Sequence, residues 1–97
     1  MYFLEPIHDT RKSFYKKAYV EVQKNDFEQS KDLYSYGTLV ASTNYNYDLN
    51  VITYTFKGKY SQTTTRHQKE FFKQQGLNDD EIKQLFKNYI LVKEVIV

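Results

Sequence analysis

The sequence predicts a single α+β domain over residues 1–97, with a small antiparallel sheet of three to four strands, then two short helices and a C-terminal strand. Two patterns and the length support this fold class. Apolar and polar residues alternate with a period of two in the strand-rich half, residues 17–61, whereas residues 62–97 change to helical spacing before a last apolar run. A chain of 97 residues has the length of one compact domain with a modest core.

The N-terminal segment, residues 1–16, mixes apolar and charged residues without a clear period, so we expect it to be loosely ordered. Phe3, Ile7 and Phe14 are its candidates for contact with the domain. The segment lacks the basic start of a signal peptide. No apolar run approaches the ~20 residues that span a bilayer. We therefore expect a cytoplasmic protein without membrane contact.

Residues 17–23 form the first expected strand. One of its faces carries Ala18, Val20 and Val22, and the other carries Tyr19 and Glu21. The polar residues 24–32 predict a turn or a longer loop, and residues 33–43 predict the second strand. Gly37 lies inside this second strand, where a glycine is typical of a bulge or of a close approach by another group.

Residues 44–50 are rich in asparagine and tyrosine and suit the tip of a hairpin, although tyrosine also favours the strand arms. Residues 51–56 show the strongest alternation of the chain. One face of this strand carries Ile52, Tyr54 and Phe56. Lys57 and Gly58 then predict a tight turn, and residues 59–61 predict a short further strand.

The first helix should begin within residues 63–65, because threonine is poor inside a helix and good at its N-cap. Thr65 is the preferred cap, since Gln68 follows three residues later as in a capping box. Gly76 is expected to end the helix, because glycine readily adopts the left-handed conformation that follows a helix.

The second helix has the stronger start signal. Asn78 and Glu81 match a capping box, and Asp79 and Asp80 complement the positive end of the helix dipole. The apolar residues of its core face have helical spacing: Ile82, Leu85, Phe86 and Tyr89. Residues 90–97 are mostly apolar and β-branched, and they predict the closing strand.

Basic residues are concentrated between residues 57 and 73, although the chain has 14 basic and 12 acidic residues and a net charge of only +2. The segment holds one acid, Glu70, and five basic residues: Lys57, Lys59, Arg66, Lys69 and Lys73. The last three share one helix face, because they are three and four residues apart. A basic helix start suits phosphate, so these five residues and Tyr60 form the candidate nucleic-acid site. The alternative is an ordinary solvated face.

No combination of residues predicts catalysis. The two histidines, His8 and His67, lack the spacing of metal ligands, and the chain has no cysteine, so we expect neither a metal site nor a cofactor. No nucleophile motif or glycine-rich phosphate loop is present. We expect His67 to pack or to cap a helix, and we expect the protein not to be an enzyme.

Two stretches carry a resemblance. Residues 33–41 read Leu-Tyr-Ser-Tyr-Gly-Thr-Leu-Val-Ala, and residues 60–71 read Tyr-Ser-Gln-Thr-Thr-Thr-Arg-His-Gln-Lys-Glu-Phe. Together with residues 11–18, these stretches resemble a family of small uncharacterised proteins and modules from phages and plasmids of low-GC Gram-positive bacteria. The resemblance implies a mobile-element context, in which small proteins commonly bind nucleic acid or obstruct a host protein. It assigns no site residue.

Two alternatives to nucleic-acid binding follow. The protein could inhibit or assist a host protein, such as a defence nuclease, through exposed tyrosines, which are good anchors in interfaces. These candidate residues belong to the expected long hairpin: Tyr34, Tyr36, Tyr45 and Tyr47. It could instead form a homodimer by pairing the edge strand near Val97 or the hairpin itself.

Overall fold

The computed structural model describes residues 1–95, and within them the chain forms two helices and a six-stranded antiparallel sheet. The strands are β1 (Tyr2–Phe3), β2 (Ala18–Lys24), β3 (Glu28–Ser35), β4 (Thr38–Asn46), β5 (Val51–Phe56) and β6 (Ile90–Glu94). The helices α1 (Gln62–Gln74) and α2 (Asp79–Asn88) lie between β5 and β6 in the chain. The α+β class is confirmed, but the sheet has more strands than the three to four expected.

Each strand pairs with its neighbour in the chain, so the order in the sheet is β1-β2-β3-β4-β5-β6. Helix α1 packs on β3 and β4, and α2 packs on β5 and β6. The core lies between the helices and the sheet, and the expected alternation is confirmed there: Ala18, Val20, Tyr54 and Phe56 are buried. Val22, at the end of the same face, is exposed.

The second expected strand, residues 33–43, is two strands joined by a two-residue turn. Ser35 pairs with Thr38, and Tyr36 and Gly37 form the turn with φ angles of 51° and 81°. Gly37 is therefore a turn residue and not a strand interior residue. The interpretation was wrong because alternation continues on both sides of such a short turn. A register shift does occur in this hairpin, between Leu33 and Tyr34.

The loop expected over residues 24–32 is limited to a turn between β2 and β3. Residues 29–32 are polar, yet they pair with β2 on one side and β4 on the other. This part of β3 is a strand because its backbone pairs on both sides. Backbone pairing does not depend on apolar side chains, so the sequence here shows no alternation of apolar and polar residues. The hairpin tip expected at residues 44–50 is likewise shorter, since β4 continues to Asn46.

The N-terminal segment is more firmly attached than expected. β1 pairs with β2, and the backbone N–H of Leu4 donates to Ala18 O at 2.9 Å. Leu4 is completely buried and Phe14 is buried, whereas Phe3 and Ile7 are exposed. Of the three residues expected against the domain, only Phe14 is buried, Phe3 joins the sheet through its backbone, and the buried Leu4 was missed.

Helix α1 begins one turn earlier than predicted. Ser61 is its N-cap, because Ser61 Oγ accepts from the backbone N–H of Thr64 at 3.1 Å. Thr65 lies inside the helix and donates its hydroxyl to Ser61 O at 3.0 Å. The short strand expected at residues 59–61 is not formed. Gly76 follows the C-cap with a φ of 95°, so the predicted helix end is confirmed.

Helix α2 has the predicted capping box. Asn78 Oδ1 accepts from the Glu81 N–H at 2.9 Å, and Glu81 Oε1 accepts from the Asn78 N–H at 3.0 Å. Ile82 and Leu85 are buried as predicted, but Tyr89 is exposed because it ends the helix in the left-handed conformation.

The closing strand is confirmed as β6, and the last two residues of the prediction, Ile96 and Val97, lie outside the described residues. Among residues 1–95, no helix is both long and apolar enough to cross a membrane.

Candidate functional site

An open groove of about 600 Å³ runs along α1, from the N-cap of the helix to its last turn. We call it the basic groove. It is lined by His8, Asp9, Lys59, Tyr60, Ser61, Gln62, Thr65, Arg66, Lys69, Glu70 and Lys73. Five of the six residues predicted to bind nucleic acid therefore meet in one groove. They come from α1 and from the loop that precedes it.

Lys57 is the predicted residue that does not line the groove. Its backbone N–H donates to Val40 O at 3.1 Å, so Lys57 continues the pairing between β5 and β4. Its exposed side chain lies apart from the other five because the chain leaves the sheet at Gly58 before it reaches α1.

Four cations line the groove, and two of them form ion pairs. Arg66 Nη1 lies 3.0 Å from Asp9 Oδ1, and Lys73 Nζ lies 3.4 Å from Asp79 Oδ1. Within residues 1–95, Lys59 and Lys69 form no ion pair. The Lys73–Asp79 pair is exposed on the Asp79 side, and exposed ion pairs contribute only about 0–1 kcal/mol, so an anionic ligand can compete for Lys73. Arg66 binds the largely buried Asp9 through Nη1, and the rest of its half-exposed guanidinium remains open to a ligand. The groove therefore presents four cations to a ligand.

The start of α1 adds a further positive field. Its first turn contains no acidic residue, and the N-cap is the uncharged Ser61. The free N–H groups at a helix start attract anions, and an acid in the first turn would compete with a bound phosphate. This helix start opens into the basic groove through Ser61, Gln62 and Thr65.

Glu70 lies in the groove wall, and its side chain is completely buried. Its Oε1 accepts from the backbone N–H groups of Ile7, His8 and Asp9 at 3.1, 2.8 and 2.9 Å. Its Oε2 lies 2.9 Å from His8 Nδ1 and accepts from Gln74 Nε2 at 2.8 Å. These bonds tie the N-terminal segment to α1.

The pKa of Glu70 lies below its ordinary value. Burial alone would raise this pKa, but the hydrogen bonds from His8, Gln74 and the backbone together outweigh burial and stabilise the carboxylate. Because the Glu70 carboxylate already accepts five hydrogen bonds, its role is structural: it fixes residues 7–9 against α1 at the wall of the groove. No local pattern in the sequence predicts this role, and its only signal is a single acid in a basic segment.

A second pocket of about 280 Å³ lies on the other side of Arg66. We call it the tyrosine pocket. Its lining comprises Arg11, Ser13, Phe14, Tyr15, Lys17, Tyr36, Thr63, Arg66 and His67. Arg66 lines both cavities, so the tyrosine pocket and the basic groove are adjacent. The sequence alone does not predict this pocket, because its walls come from three separate parts of the chain.

His67 packs, as expected. The residue is completely buried, and its ring meets Phe14 edge-on with centroids 4.6 Å apart. Burial lowers the pKa of His67, and the nearby Asp9 offsets this only in part, so the imidazole is neutral at pH 7. Its Nδ1 lies 2.8 Å from Ser35 Oγ, whereas its Nε2 has no hydrogen-bond partner among the described residues.

The four tyrosines of the alternative site do not form one surface. Tyr34 is half-buried and stacks on Tyr19 with centroids 5.1 Å apart. Tyr36 lies in the β3–β4 turn at one end of β4, whereas Tyr45 and Tyr47 contact each other near the other end. None of the four is buried in the core.

Residues 1–95 contain no group of three or more histidine, cysteine, aspartate or glutamate side chains that could hold a metal ion.

Comparison with known protein families gives one match. Residues 2–88 match a family of unknown function, DUF8033, and since the match covers most of the chain, the protein belongs to this family. No curated protein and no solved structure matches the chain.

Proposed function

We propose that this DUF8033 protein is a small, non-enzymatic, cytoplasmic protein of a phage or plasmid that binds nucleic acid through the basic groove. The observation that carries the proposal is the convergence of Lys59, Tyr60, Arg66, Lys69 and Lys73 on one groove. The mobile-element origin rests on the sequence resemblance described above. The binding function rests on the groove.

The groove has the charge that a phosphate backbone requires. Arg66, Lys69 and Lys73 lie on one face of α1, where the Cβ atoms of residues three or four positions apart are separated by about 5–6 Å. Each lysine or arginine that neutralises a phosphate releases a condensed counterion, which supplies affinity independently of sequence. The acid-free start of α1 favours a phosphate at the same place.

Tyr60 supports nucleic acid over a simple anion. Its ring is more than half exposed at the edge of the groove. Exposed aromatic rings beside a basic track stack with the bases of single strands, and this contact tolerates any base. A groove that binds only small anions gains nothing from such a ring.

The test is a salt titration of binding to single-stranded DNA, single-stranded RNA and duplex DNA, measured by fluorescence anisotropy. Lys69→Glu removes an unpaired groove cation, and Lys24→Glu makes the same charge change at an exposed position on β2, outside the groove. We expect Lys69→Glu to weaken binding about tenfold and to reduce the salt slope by about 0.7–0.9. Lys24→Glu should bind nearly as the unmodified protein does.

Two results would overturn the proposal. One is the absence of binding to all three nucleic acids at low salt. The other is an equal affinity for Lys69→Glu and Lys24→Glu, which would mean that any binding reflects net charge and not the groove.

The alternative function, inhibition or assistance of a host protein such as a defence nuclease, has support at the far end of the sheet. The β2–β3 and β4–β5 turns meet there, since the Tyr47 N–H donates to Phe27 O at 3.0 Å. Phe27 and Leu49 are both 69% exposed beside Tyr45 and Tyr47. Aromatic residues of this kind anchor protein interfaces.

A pull-down from host lysate with and without nuclease treatment separates the two functions. A host protein that persists after nuclease treatment and is lost with Phe27→Ser and Leu49→Ser supports the alternative. Loss of captured material after nuclease treatment supports nucleic-acid binding.

The homodimer proposed from the edge strands is tested by sedimentation. Strand β6 forms an edge of the sheet within residues 1–95, and its Ile90 and Val92 are exposed. A monomer at all concentrations contradicts this assembly.

A further inference from the structure

The two tyrosines of the tyrosine pocket occupy matching turns. Tyr15 precedes Lys16 in the turn that leads into β2, with φ angles of 53° and 60°. Tyr36 precedes Gly37 in the β3–β4 turn, with φ angles of 51° and 81°. The Lys17 N–H donates to Phe14 O at 2.9 Å, and the Tyr36 N–H donates to Lys17 O at 2.8 Å, so the two turns lie side by side.

Tyrosine is an unfavourable residue at both positions. Two-residue turns with positive φ at both centres strongly prefer asparagine, aspartate or glycine, because a bulky side chain strains the left-handed backbone. Both rings are also exposed, 74% for Tyr15 and 58% for Tyr36, so core packing does not compensate for the strain. Strained residues of this kind are concentrated at binding sites.

A chain of hydroxyl groups connects the start of α1 to His67. Ser61 Oγ donates to Thr64 Oγ1 at 3.2 Å, Thr64 Oγ1 lies 2.9 Å from Ser35 Oγ, and Ser35 Oγ lies 2.8 Å from His67 Nδ1. The arrangement in which each hydroxyl donates one bond makes Nδ1 the acceptor at the end of the chain. The neutral ring then carries its proton on Nε2.

In this arrangement, the Nε2–H of His67 is a donor that lacks an acceptor within residues 1–95. Buried polar groups in proteins are nearly always hydrogen-bonded, and an unpaired donor destabilises the fold. Nε2 is closed to water in the free protein. The rings of Phe14 and Tyr36 pack on His67, and Tyr36 is exposed, so a ligand would have to displace the Tyr36 ring to reach Nε2.

These features select a ligand of defined chemistry. Two tyrosine rings favour a planar ring system, the His67 N–H favours a hydrogen-bond acceptor on that ring, and Arg66 favours an attached phosphate. The pocket volume lies just below the range of about 300–1,000 Å³ typical of small-molecule sites, so it has room for one base. A base in a duplex is not free to enter, whereas one in a single strand is.

We infer that the tyrosine pocket receives one base of a single-stranded nucleic acid whose backbone lies in the basic groove. Arg66, which lines both cavities, contacts the phosphate that lies between the pocket and the groove. This inference rests on the proposed function, and it adds that the protein distinguishes single strands that carry bases from a bare phosphate backbone.

The experiment compares an oligothymidylate of about twelve nucleotides, within the range of single-strand site sizes, with an abasic oligonucleotide of the same length and charge. We expect the base-bearing strand to bind about tenfold more tightly, in line with base stacking on aromatic side chains. We also expect its binding, and not that of the abasic strand, to change the ¹⁵N chemical shift of His67 Nε2.

Tyr36→Asn removes one ring of the pocket and puts a preferred residue in the turn before Gly37, so the variant should remain folded. Tyr36→Asn should bind both oligonucleotides with the affinity that the unmodified protein has for the abasic oligonucleotide. Tyr89→Asn is the matched control, because Tyr89 is also left-handed, with a φ of 69°, is 57% exposed, and does not line the pocket. It should keep the preference for bases.

The outcomes separate the two proposals. If neither oligonucleotide binds at low salt, the proposed function is overturned together with the inference. Salt-dependent binding that is equal for the two strands, or a base preference that survives Tyr36→Asn, overturns the base pocket and leaves groove binding intact.

Discussion

Helix α2 begins with three acids and a capping box, whereas helix α1 begins with Ser61 and no acid in its first turn. The positive end of α2 is therefore neutralised by residues within its own first turn. The positive end of α1 remains available to an external anion, and it opens into the basic groove. The comparison supports the proposal that α1 combines stability with a binding role, whereas the start of α2 has only the features of a stability element.

The two helices also differ in what they bury. Helix α2 buries Ile82 and Leu85, which are apolar. Helix α1 buries Phe71 and Phe72 together with four polar residues: Thr64, His67, Gln68 and Glu70. Gln68 Nε2 donates to Val40 O and Gly58 O, each at 3.0 Å. The attachment of α1 therefore depends on hydrogen bonds to distant parts of the chain.

The largest expected effect is on the attachment of α1. Glu70→Gln removes the charge that accepts hydrogen bonds from the N-terminal segment, and hydrogen bonds to charged groups contribute about 1.5–3 kcal/mol each. We expect the free energy of unfolding, measured by urea denaturation, to fall by about 2–3 kcal/mol. Glu94→Gln is the control, because Glu94 is exposed on β6. Equal losses for the two variants would contradict the role of Glu70.

For the same variant, we expect a different dependence of the free energy of unfolding on pH in the acid range. The pKa of Glu70 is below the ordinary value of 4.5 in the folded protein, so the unfolded chain takes up a proton first as the pH falls. The stabilisation by Glu70 is complete above the unfolded pKa and is lost as the pH falls through the folded pKa. We expect Glu70→Gln to lose less stability than the unmodified protein below pH 4.5.

A smaller effect is expected at the start of α2. Asn78→Ala removes the capping box, and loss of such a cap costs about 1 kcal/mol of stability. Nucleic-acid affinity should not change, because Asn78 lies outside both cavities. A weaker affinity in the anisotropy titration would show that the two helix starts are not functionally distinct.

The smallest effect comes from giving α1 the kind of acid that α2 has. Gln62→Glu places a carboxylate in the first turn, which should raise the free energy of unfolding by about 0.3–1 kcal/mol. The same charge lies in the basic groove and should weaken oligonucleotide binding several-fold.

Gln84→Glu is the matched control, since Gln84 is exposed within α2 and makes the same charge change. If Gln62→Glu raises the free energy of unfolding and weakens oligonucleotide binding, and Gln84→Glu does not do both, the two helix starts differ in function as proposed. Unchanged binding would remove the distinction between the two helix starts.

The structural features that the sequence predicted correctly are those that depend on residues close together in the chain. The alternation of residues 51–56 and the capping box of α2 involve residues two to four positions apart, and both are confirmed. The prediction failed at the β3–β4 turn, where Tyr36 stands in place of the asparagine or glycine that identifies such turns. The residue that concealed the turn is the one that lines the tyrosine pocket.

The sequence by itself determined the α+β class, the start of α2, the end of α1 and the cluster of cations on one face of α1. These features depend on periodicity and on caps, which are local. Only the tertiary structure showed that the N-terminal segment is bound by Glu70 from more than 60 residues away. It also showed that Arg66 joins two cavities. Buried polar groups must find partners wherever the fold supplies them, and no local pattern records which partners those are.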